Sequence, residues 1–271
     1  VHVPPVTFLA EQLGAVSDDV DIDAVKIGML ADIDVIRTVS EWLDETKPAV
    51  VILDPVIVAT SGDRLLGEDA EHALRELITR VHLVTPNIPE LAILMNEPVA
   101  ASWPEVLDQA QRLSLTYGVR VLAKGGHLDG AAAPDALVDG DAVTEFPGVR
   151  VATVNTHGTG CSYSSAIATQ VAAGVPWAEA IAESKRWLTE SIAAADELEV
   201  GTGHGPIHHF AGMWERGGLL TRPTPASVAE LWWEQIHDIR TETDALPFVR
   251  GLGDGTLSRD TFVWYLAQDA F

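Results

Sequence analysis

Short apolar runs alternate with amphipathic segments through the first two hundred residues, and no other feature of the sequence limits the fold so tightly. Asp23 to Met29 reads as a strand, and Asp32 to Thr46 as a helix with Asp32 as its N-cap. Ala49 to Leu53 (AVVIL) is a buried strand, Gly67 to Thr79 a helix and Val81 to Val84 the next strand. Thr85-Pro86-Asn87 then opens a short helix from Ile88 to Met95. Ser102 caps a helix that runs to Tyr117, where Gly118 ends it. Val119 to Ala123 is a strand, and two shorter β pieces follow at Asp135 to Val138 and Ala142 to Phe146. This alternation means βαβ units, hence an α/β fold with a mainly parallel sheet covered by helices. Ligands of such sheets bind beyond the carboxyl ends of the strands. Met29, Asp54, Asn87 and Lys124 all fall there.

The run Asn155-Thr156-His157-Gly158-Thr159-Gly160-Cys161-Ser162 falls there too. It follows a β-branched stretch, Val149 to Val154, that reads as a strand, and it opens a small-residue helix from about Ser162 to Ala173. Two glycines at such a junction let backbone N–H groups converge on one point. The helix dipole adds partial positive charge at that point, so the natural guest is a phosphate-like anion. Cys161, the only cysteine, sits in the same field, and a helix N-terminus favours a thiolate. The same residues also fit a plain glycine turn followed by a small buried cysteine. A second helix, Pro176 to Ala194, precedes a loop from His204 to Phe210. His204, His208 and His209 have no acidic or cysteine partner at a spacing that completes a metal site.

Composition narrows the partners. The 271 residues suffice for one substantial domain, or one domain and part of another. A formal charge of −23 argues against nucleic acid, which demands a basic footprint. One cysteine excludes an internal disulfide framework and a cysteine-based zinc cluster. No basic region precedes a sustained apolar core, and no apolar run reaches about 18 residues, so neither a signal peptide nor a membrane span is expected and the compartment is the cytosol. An acidic protein that binds polyphosphate must supply local positive charge from helix ends, a metal ion and a few placed bases. The lysines are only Lys26, Lys47, Lys124 and Lys185, and Lys26 and Lys124 stand at strand ends rather than on polar helix faces. No Gly-Lys-Ser/Thr follows a glycine run, which disfavours a P-loop.

Gly217-Gly218 through Pro225 lacks periodicity and reads as a linker. Ser227 then caps a helix carrying Leu231, Trp232 and Trp233. Pro247 to Gly251 and Gly253-Asp254-Gly255 read as punctuation, and Ser258 caps a last helix holding Phe262, Trp264, Tyr265, Asp269 and Phe271. Two or three helices cannot close a core alone, so the tail reads as the start of a second, all-helical domain. The expected layout is a domain over 1–211, a linker over 212–226 and a helical segment over 227–271.

Six motifs occur in order: Lys26-Ile27-Gly28-Met29-Leu30, Asp54-Pro55-Val56, Ser61-Gly62, Thr85-Pro86-Asn87-Ile88-Pro89-Glu90, Lys124-Gly125-Gly126-His127 and Asn155 to Cys161. Together they resemble the hydroxymethylpyrimidine and phosphomethylpyrimidine kinase family of the ribokinase-like superfamily, over roughly Val1 to Phe210. That family carries cysteine where most ribokinase-like enzymes carry an aspartate base. Leu246-Pro247-Phe248-Val249, Gly253 to Leu257 and Tyr265 to Asp269 resemble the opening of the thiaminase II (TenA-like) family, which handles thiamine-derived pyrimidines. Both resemblances are partial. By these resemblances the kinase's first βαβ unit is expected upstream of Val1, and the catalytic cysteine of the TenA-like family beyond Phe271.

The resemblance implies ATP and Mg²⁺ as cofactors and hydroxymethylpyrimidine, then its monophosphate, as acceptors in thiamine biosynthesis. It implies that Cys161 prepares the acceptor as base or orienter. The N–H groups of Gly158, Thr159 and Gly160 would surround the transferring phosphoryl group, with Lys124 balancing its charge. Asn87 and Glu90, one helical turn apart, would hold Mg²⁺ through water, with Asp54 nearby; Asn87 is equally a helix cap. Met29 and Val56 would sandwich the pyrimidine, and Asp269 matches the pyrimidine-binding aspartate of the TenA-like family. A homo-oligomer is the expected assembly. Two alternatives remain: a related kinase acting on pyridoxal or a sugar, and a fragment that folds without catalysing. With only Met29 and Val56 left to hold the ring, the 271 residues alone are expected to turn over poorly.

Overall fold

Alternating side chains of buried strands sort themselves onto two helical layers. The computed structural model describes residues 2–57, 66–128, 130–198, 200–218 and 225–269. Its strands are β1 (Val25–Ile27), β2 (Val51–Leu53), β3 (Leu83–Val84), β4 (Arg120–Lys124), β5 (Asp135–Asp139) and β6 (Ala142–Phe146), in spatial order β1-β2-β3-β4-β5-β6. β1 to β4 are parallel; β5 and β6 run antiparallel to their neighbours. One face buries Val51, Leu53, Val84, Val121 and Ala123 beneath helices α2 (Ile33–Thr46), α3 (Glu68–Ile78), α4 (Ile88–Met95) and α5 (Trp103–Tyr117). The other buries Ile52, Leu83 and Leu122 beneath α6 (Thr159–Ala172) and α7 (Trp177–Ala193). The period-2 pattern thus builds both cores of a three-layer α/β unit.

Helix starts follow local capping chemistry. Asp32 accepts the N–H of Val35 at 2.9 Å, and Asn87 begins α4. Ser102 occupies the N-cap of α5, but its hydroxyl donates to Glu105 instead of accepting a backbone N–H. Gly118, at φ 64°, closes that helix. α1 (Val6–Ser17) has no buried residue, only partly buried Leu9 and Leu13 against the core, so its periodicity is too faint to read from sequence.

Two expectations fail. Val149 to Val154 is not a strand: Val149 makes one isolated bridge to Ala132, and Val149 and Val154 face solvent. This stretch must cross from the edge strand β6 to the end of β2, where α6 begins, so it runs over the strand ends rather than along them. β-branched residues favour strands mainly by packing, and here nothing packs on them. Pro247–Gly253 is a helix (α11) rather than punctuation. Its proline sits at the first helical position, where no N–H is needed, and Gly251 lies against Leu257.

By contact, the chain divides into two compact units, Val1–Met213 and Trp214–Phe271. The boundary falls within α8 (Ala211–Arg216), with three of its residues in each unit. The second contains α9 (Pro225–Gln235), α10 (His237–Asp244), α11 and α12 (Arg259–Asp269). Ser258 caps α12 by accepting the N–H of Thr261 at 3.2 Å, and Phe248 meets Tyr265 with ring centroids 5.0 Å apart. The side chain of Ser227, expected as a cap, lies outside the described residues, and its helix starts two residues earlier, at Pro225.

Candidate active site

Asp54, the residue after β2, is 2% exposed, with its N–H bonded to the carbonyl of Ile27 at 2.9 Å. Thr85, the residue after β3, donates its hydroxyl to Asp54 Oδ1 at 3.0 Å. Lys124, the last residue of β4, donates Nζ to the same oxygen at 2.8 Å. Three adjacent parallel strands therefore deliver one buried cluster at their carboxyl ends. Lys124 and Asp54, assigned separately to phosphate and to metal from the sequence, are each other's partner. The pairing follows from burial: a carboxylate this enclosed needs a counter-charge within the fold.

The turn after Lys124 is fixed from below. Gly125 donates to the carbonyl of Pro134 at 2.8 Å and to Asp135 at 3.1 Å, and a Cβ there would lie 2.2 Å from the Pro134 oxygen. Asp135 also takes Nζ of Lys185 at 2.9 Å, and Lys185 reaches the carbonyls of Ala133 and Phe146 at the same distance. Lys185 carried no signal in the sequence because its partners are 39 to 52 residues away. Burial, first, and Asp135 beside it hold the Tyr163 hydroxyl well above its usual range. Beyond the turn, burial and then the Lys124 and Arg150 charges hold His127 below the ordinary imidazole range.

α6 begins directly over the ion pair. A Cβ on Gly160 would stand 3.4 Å from both Asp54 Oδ2 and Lys124 Nζ, so the helix N-terminus and the lysine converge on one point. Gly158 is the N-cap at φ 85°, a conformation that glycine adopts without strain. The helix starts three residues earlier than its apolar pattern suggests. That shift corrects the donor set: Thr159 turns its N–H (3.3 Å) and hydroxyl (2.6 Å) back to the carbonyl of Thr156. The N–H groups of Gly158, Gly160 and Cys161 have no acceptor among the described residues. These are the orphan donors of a helix start.

The His204–Phe210 loop braces this turn. His157 and Pro206 form a bridge, Gly205 donates to Asn155 Oδ1 at 2.8 Å, and Asn155 donates onward to Asp196 at 2.8 Å. His204 Nδ1 lies 3.1 Å from the carbonyl of Val154, and His209 Nε2 lies 2.7 Å from the Ser162 hydroxyl. The histidines are struts, and among the described residues no group of three or more His, Cys, Asp or Glu could hold a metal ion. Cys161, third in α6, is exposed, which removes the reading of a buried structural thiol. It opens onto a cleft of about 570 Å³ between α6 and α7, lined also by Thr169, Gln170, Trp187 and His209.

Asn87 and Glu90 form a capping box: Asn87 Oδ1 accepts the N–H of Glu90, and Glu90 accepts the N–H of Asn87, each at 2.9 Å. Glu90 is 3% exposed. Burial, with a further push from Asp54, raises its carboxyl to about 7, against the pull of Lys124 and the N–H groups of Asn87 and Ile57. Met29, on the turn after β1, is 45% exposed, and Val56, half-buried, follows β2, so both stand on the same rim. Asp269 ends α12 in the second unit, and its side chain lies outside the described residues, as does the Ser61-Gly62 motif.

Comparison with known proteins gives this geometry a family. The profile of the phosphomethylpyrimidine kinase family matches residues 1–208. The hydroxymethylpyrimidine/phosphomethylpyrimidine kinase of Escherichia coli is 44% identical over 208 residues, covering 76% of this chain and 78% of that protein. The chain belongs to the phosphomethylpyrimidine kinase family. The thiamine biosynthesis multifunctional protein ThiED of Corynebacterium efficiens is 44% identical over 299 aligned residues, taking in all of this chain, the helical segment included. The chain spans 40% of the length of that relative.

Solved structures agree on the fold. Phosphomethylpyrimidine kinase from Clostridium difficile superposes with a TM-score of 0.60 at 32% identity, covering 69% of this chain and 76% of that one. Pyridoxal kinase from Bacillus subtilis, solved as an ADP complex, superposes at 0.71 with 28% identity, over 78% and 79%. Shape alone does not separate these acceptors. The pyrimidine kinase from E. coli shares the higher sequence identity with this chain. No helix among the described residues is long and apolar enough to cross a membrane.

Proposed function

We propose that the full-length protein transfers the terminal phosphoryl group of ATP to hydroxymethylpyrimidine and then to its monophosphate. The observation that carries this reading is the convergence of the Lys124–Asp54 pair on Gly160, under the free N–H groups of α6. Phosphoryl transfer asks a protein mainly for positioning and charge neutralisation. The N–H groups of Gly158, Gly160 and Cys161 stabilise the phosphoryl oxygens from one side. Lys124 supplies a cation fixed by Asp54, so it need not reorganise during the reaction.

The acceptor hydroxyl attacks the terminal phosphorus, the bond to the ADP oxygen breaks, and Cys161 orients the hydroxyl or takes its proton. Met29 and Val56 hold the pyrimidine on the rim of β1 and β2. The cleft leading from Cys161 past Gln170 to Trp187 suits the nucleoside end of the donor, an aromatic wall with polar groups around it. Magnesium, when bound, neutralises phosphate charge. Glu90, Asp54 and Asn87 fit it, because Glu90 is a buried carboxyl short of positive charge and the set is all oxygen.

The layout follows the same reading: a kinase domain over 1–211, a linker over 212–226 and a TenA-like segment from 227 in which Asp269 serves a pyrimidine site. Purified full-length protein should release ADP only when a pyrimidine acceptor is added. ADP release that ignores the acceptor, or prefers pyridoxal, would favour the related-kinase alternative.

A further inference from the structure

Lys26 stands apart from the other three lysines. Lys124 and Lys185 each hold a carboxylate, at 2.8 and 2.9 Å, and Lys47 is exposed at the C-cap of α2. Lys26 is half-buried in β1 and has no hydrogen bond or ion pair among the described residues. The chain has 40 Asp and Glu, and none of those described forms an ion pair with it. A partly desolvated ammonium without a partner is costly to keep, so its partner is expected to be a ligand.

The direction of the side chain says which ligand. Lys26 pairs in register with Ile52, which is packed beneath α6 with Tyr163 and Ile167. In-register residues of parallel strands share a face, so Lys26 lies on the α6 side of the sheet. Its Nζ is 2.9 Å from where a Cβ on Gly28 would be, so the ammonium has turned up the strand toward the carboxyl end. One strand over, about 4.8 Å away by ordinary sheet spacing, β2 ends at Asp54 beneath Gly160. Lys26 therefore flanks the anion-binding turn from the β1 side, as Lys124 does from the β4 side, and β1 leads directly into the turn that carries Met29.

The geometry points to Lys26 as a second phosphate-binding cation of the site, one that contacts a phosphate held at the β1 end. This assignment rests on the kinase reading for the source of that phosphate: the monophosphate acceptor on the Met29 side, or the nucleotide. Gly28 is part of the device, because a side chain there would meet the ammonium.

The test compares Lys26→Met and Lys26→Arg with wild type in the full-length protein, varying hydroxymethylpyrimidine, its monophosphate and ATP in turn. Loss of a charge-assisted phosphate contact is worth about 10- to 100-fold. In Lys26→Met the kcat/KM ratio of the monophosphate to the unphosphorylated acceptor should fall by about that factor, and Lys26→Arg should recover most of it. A comparable rise in KM for ATP with either acceptor upholds the cation's role and assigns it to the nucleotide. Thermal stabilisation by pyrophosphate needs no turnover. Its loss in Lys26→Met and retention in Lys26→Arg upholds the inference even if neither acceptor is phosphorylated, a result that sinks the kinase reading alone. Unchanged kinetics for all three ligands, together with an unchanged pyrophosphate shift in Lys26→Met, overturn the inference.

Discussion

Lys124 and Asp54 meet at 2.8 Å across the ends of β4 and β2, seventy residues apart in sequence, and the helix that begins at Gly158 starts on top of them. The pair is enclosed, with side-chain exposures of 16% and 3%. Removing one member strands the other, which costs about 3–5 kcal/mol in buried pairs. Asp54→Asn and Lys124→Met should each lower the unfolding free energy on that scale and lower turnover at least about 10²-fold. The double variant should regain stability without regaining turnover. Recovery of both would show that the pair serves the fold alone.

Gly160 separates phosphate binding from folding. Alanine in a helix is favoured over glycine by about 1 kcal/mol, yet its Cβ would sit 3.4 Å from Asp54 and Lys124, where the anion must approach. Gly160→Ala should leave the melting temperature unchanged or higher while KM for ATP rises. Gly160→Val should abolish phosphate binding. An alanine variant with wild-type KM would move the anion away from the α6 terminus.

Glu90 predicts an inverted pH dependence of stability. Its folded-state carboxyl titrates near 7, above the ordinary 4.5, so between those values the native state keeps a proton that the unfolded chain releases. Stability should therefore fall as pH rises from about 4.5 to 7 and level off above, by on the order of 3 kcal/mol at most. Glutamine can keep the capping-box contact, so Glu90→Gln should remove that slope, and saturating Mg²⁺ should flatten it in wild type. Urea unfolding at several pH values measures both, and parallel profiles for wild type and variant would contradict this account.

Much of this site was legible because its signals are local. Asn87 announces a helix cap by type and position, and the glycine run announces the helix start that follows it. What stayed hidden depends on distant partners. Nothing near Lys185 in sequence reveals Asp135, and nothing near Asp54 reveals Lys124. The Val149–Val154 stretch misled because β-branched residues signal packing that the crossing over the strand ends does not provide. Spacing already spoke against a metal set at His204 and His209, but what they brace, the Val154 carbonyl and the Ser162 hydroxyl, lies 50 and 47 residues away in sequence.

The brace can be broken from a distance. A Cβ on Gly205 would fall 2.5 Å from Asn155 Oδ1, so Gly205→Ala should push the His157–Pro206 bridge apart and lower kcat/KM for ATP. Shortening the opposing side chain, in Gly205→Ala with Asn155→Gly, should restore part of the space but not the hydrogen bond. Activity at the wild-type level in Gly205→Ala would show that the turn holds its shape unaided.

The most direct measurement is acceptor-dependent ADP release by the full-length protein, in wild type and in Cys161→Ala, with hydroxymethylpyrimidine and pyridoxal compared side by side. Wild type should prefer the pyrimidine. Cys161→Ala should lose turnover by at least about 10²-fold, the scale of a proton-transfer group, while ATP affinity stays near wild type because the backbone donors remain. Preference for pyridoxal, or wild-type turnover without the thiol, would contradict the central claim.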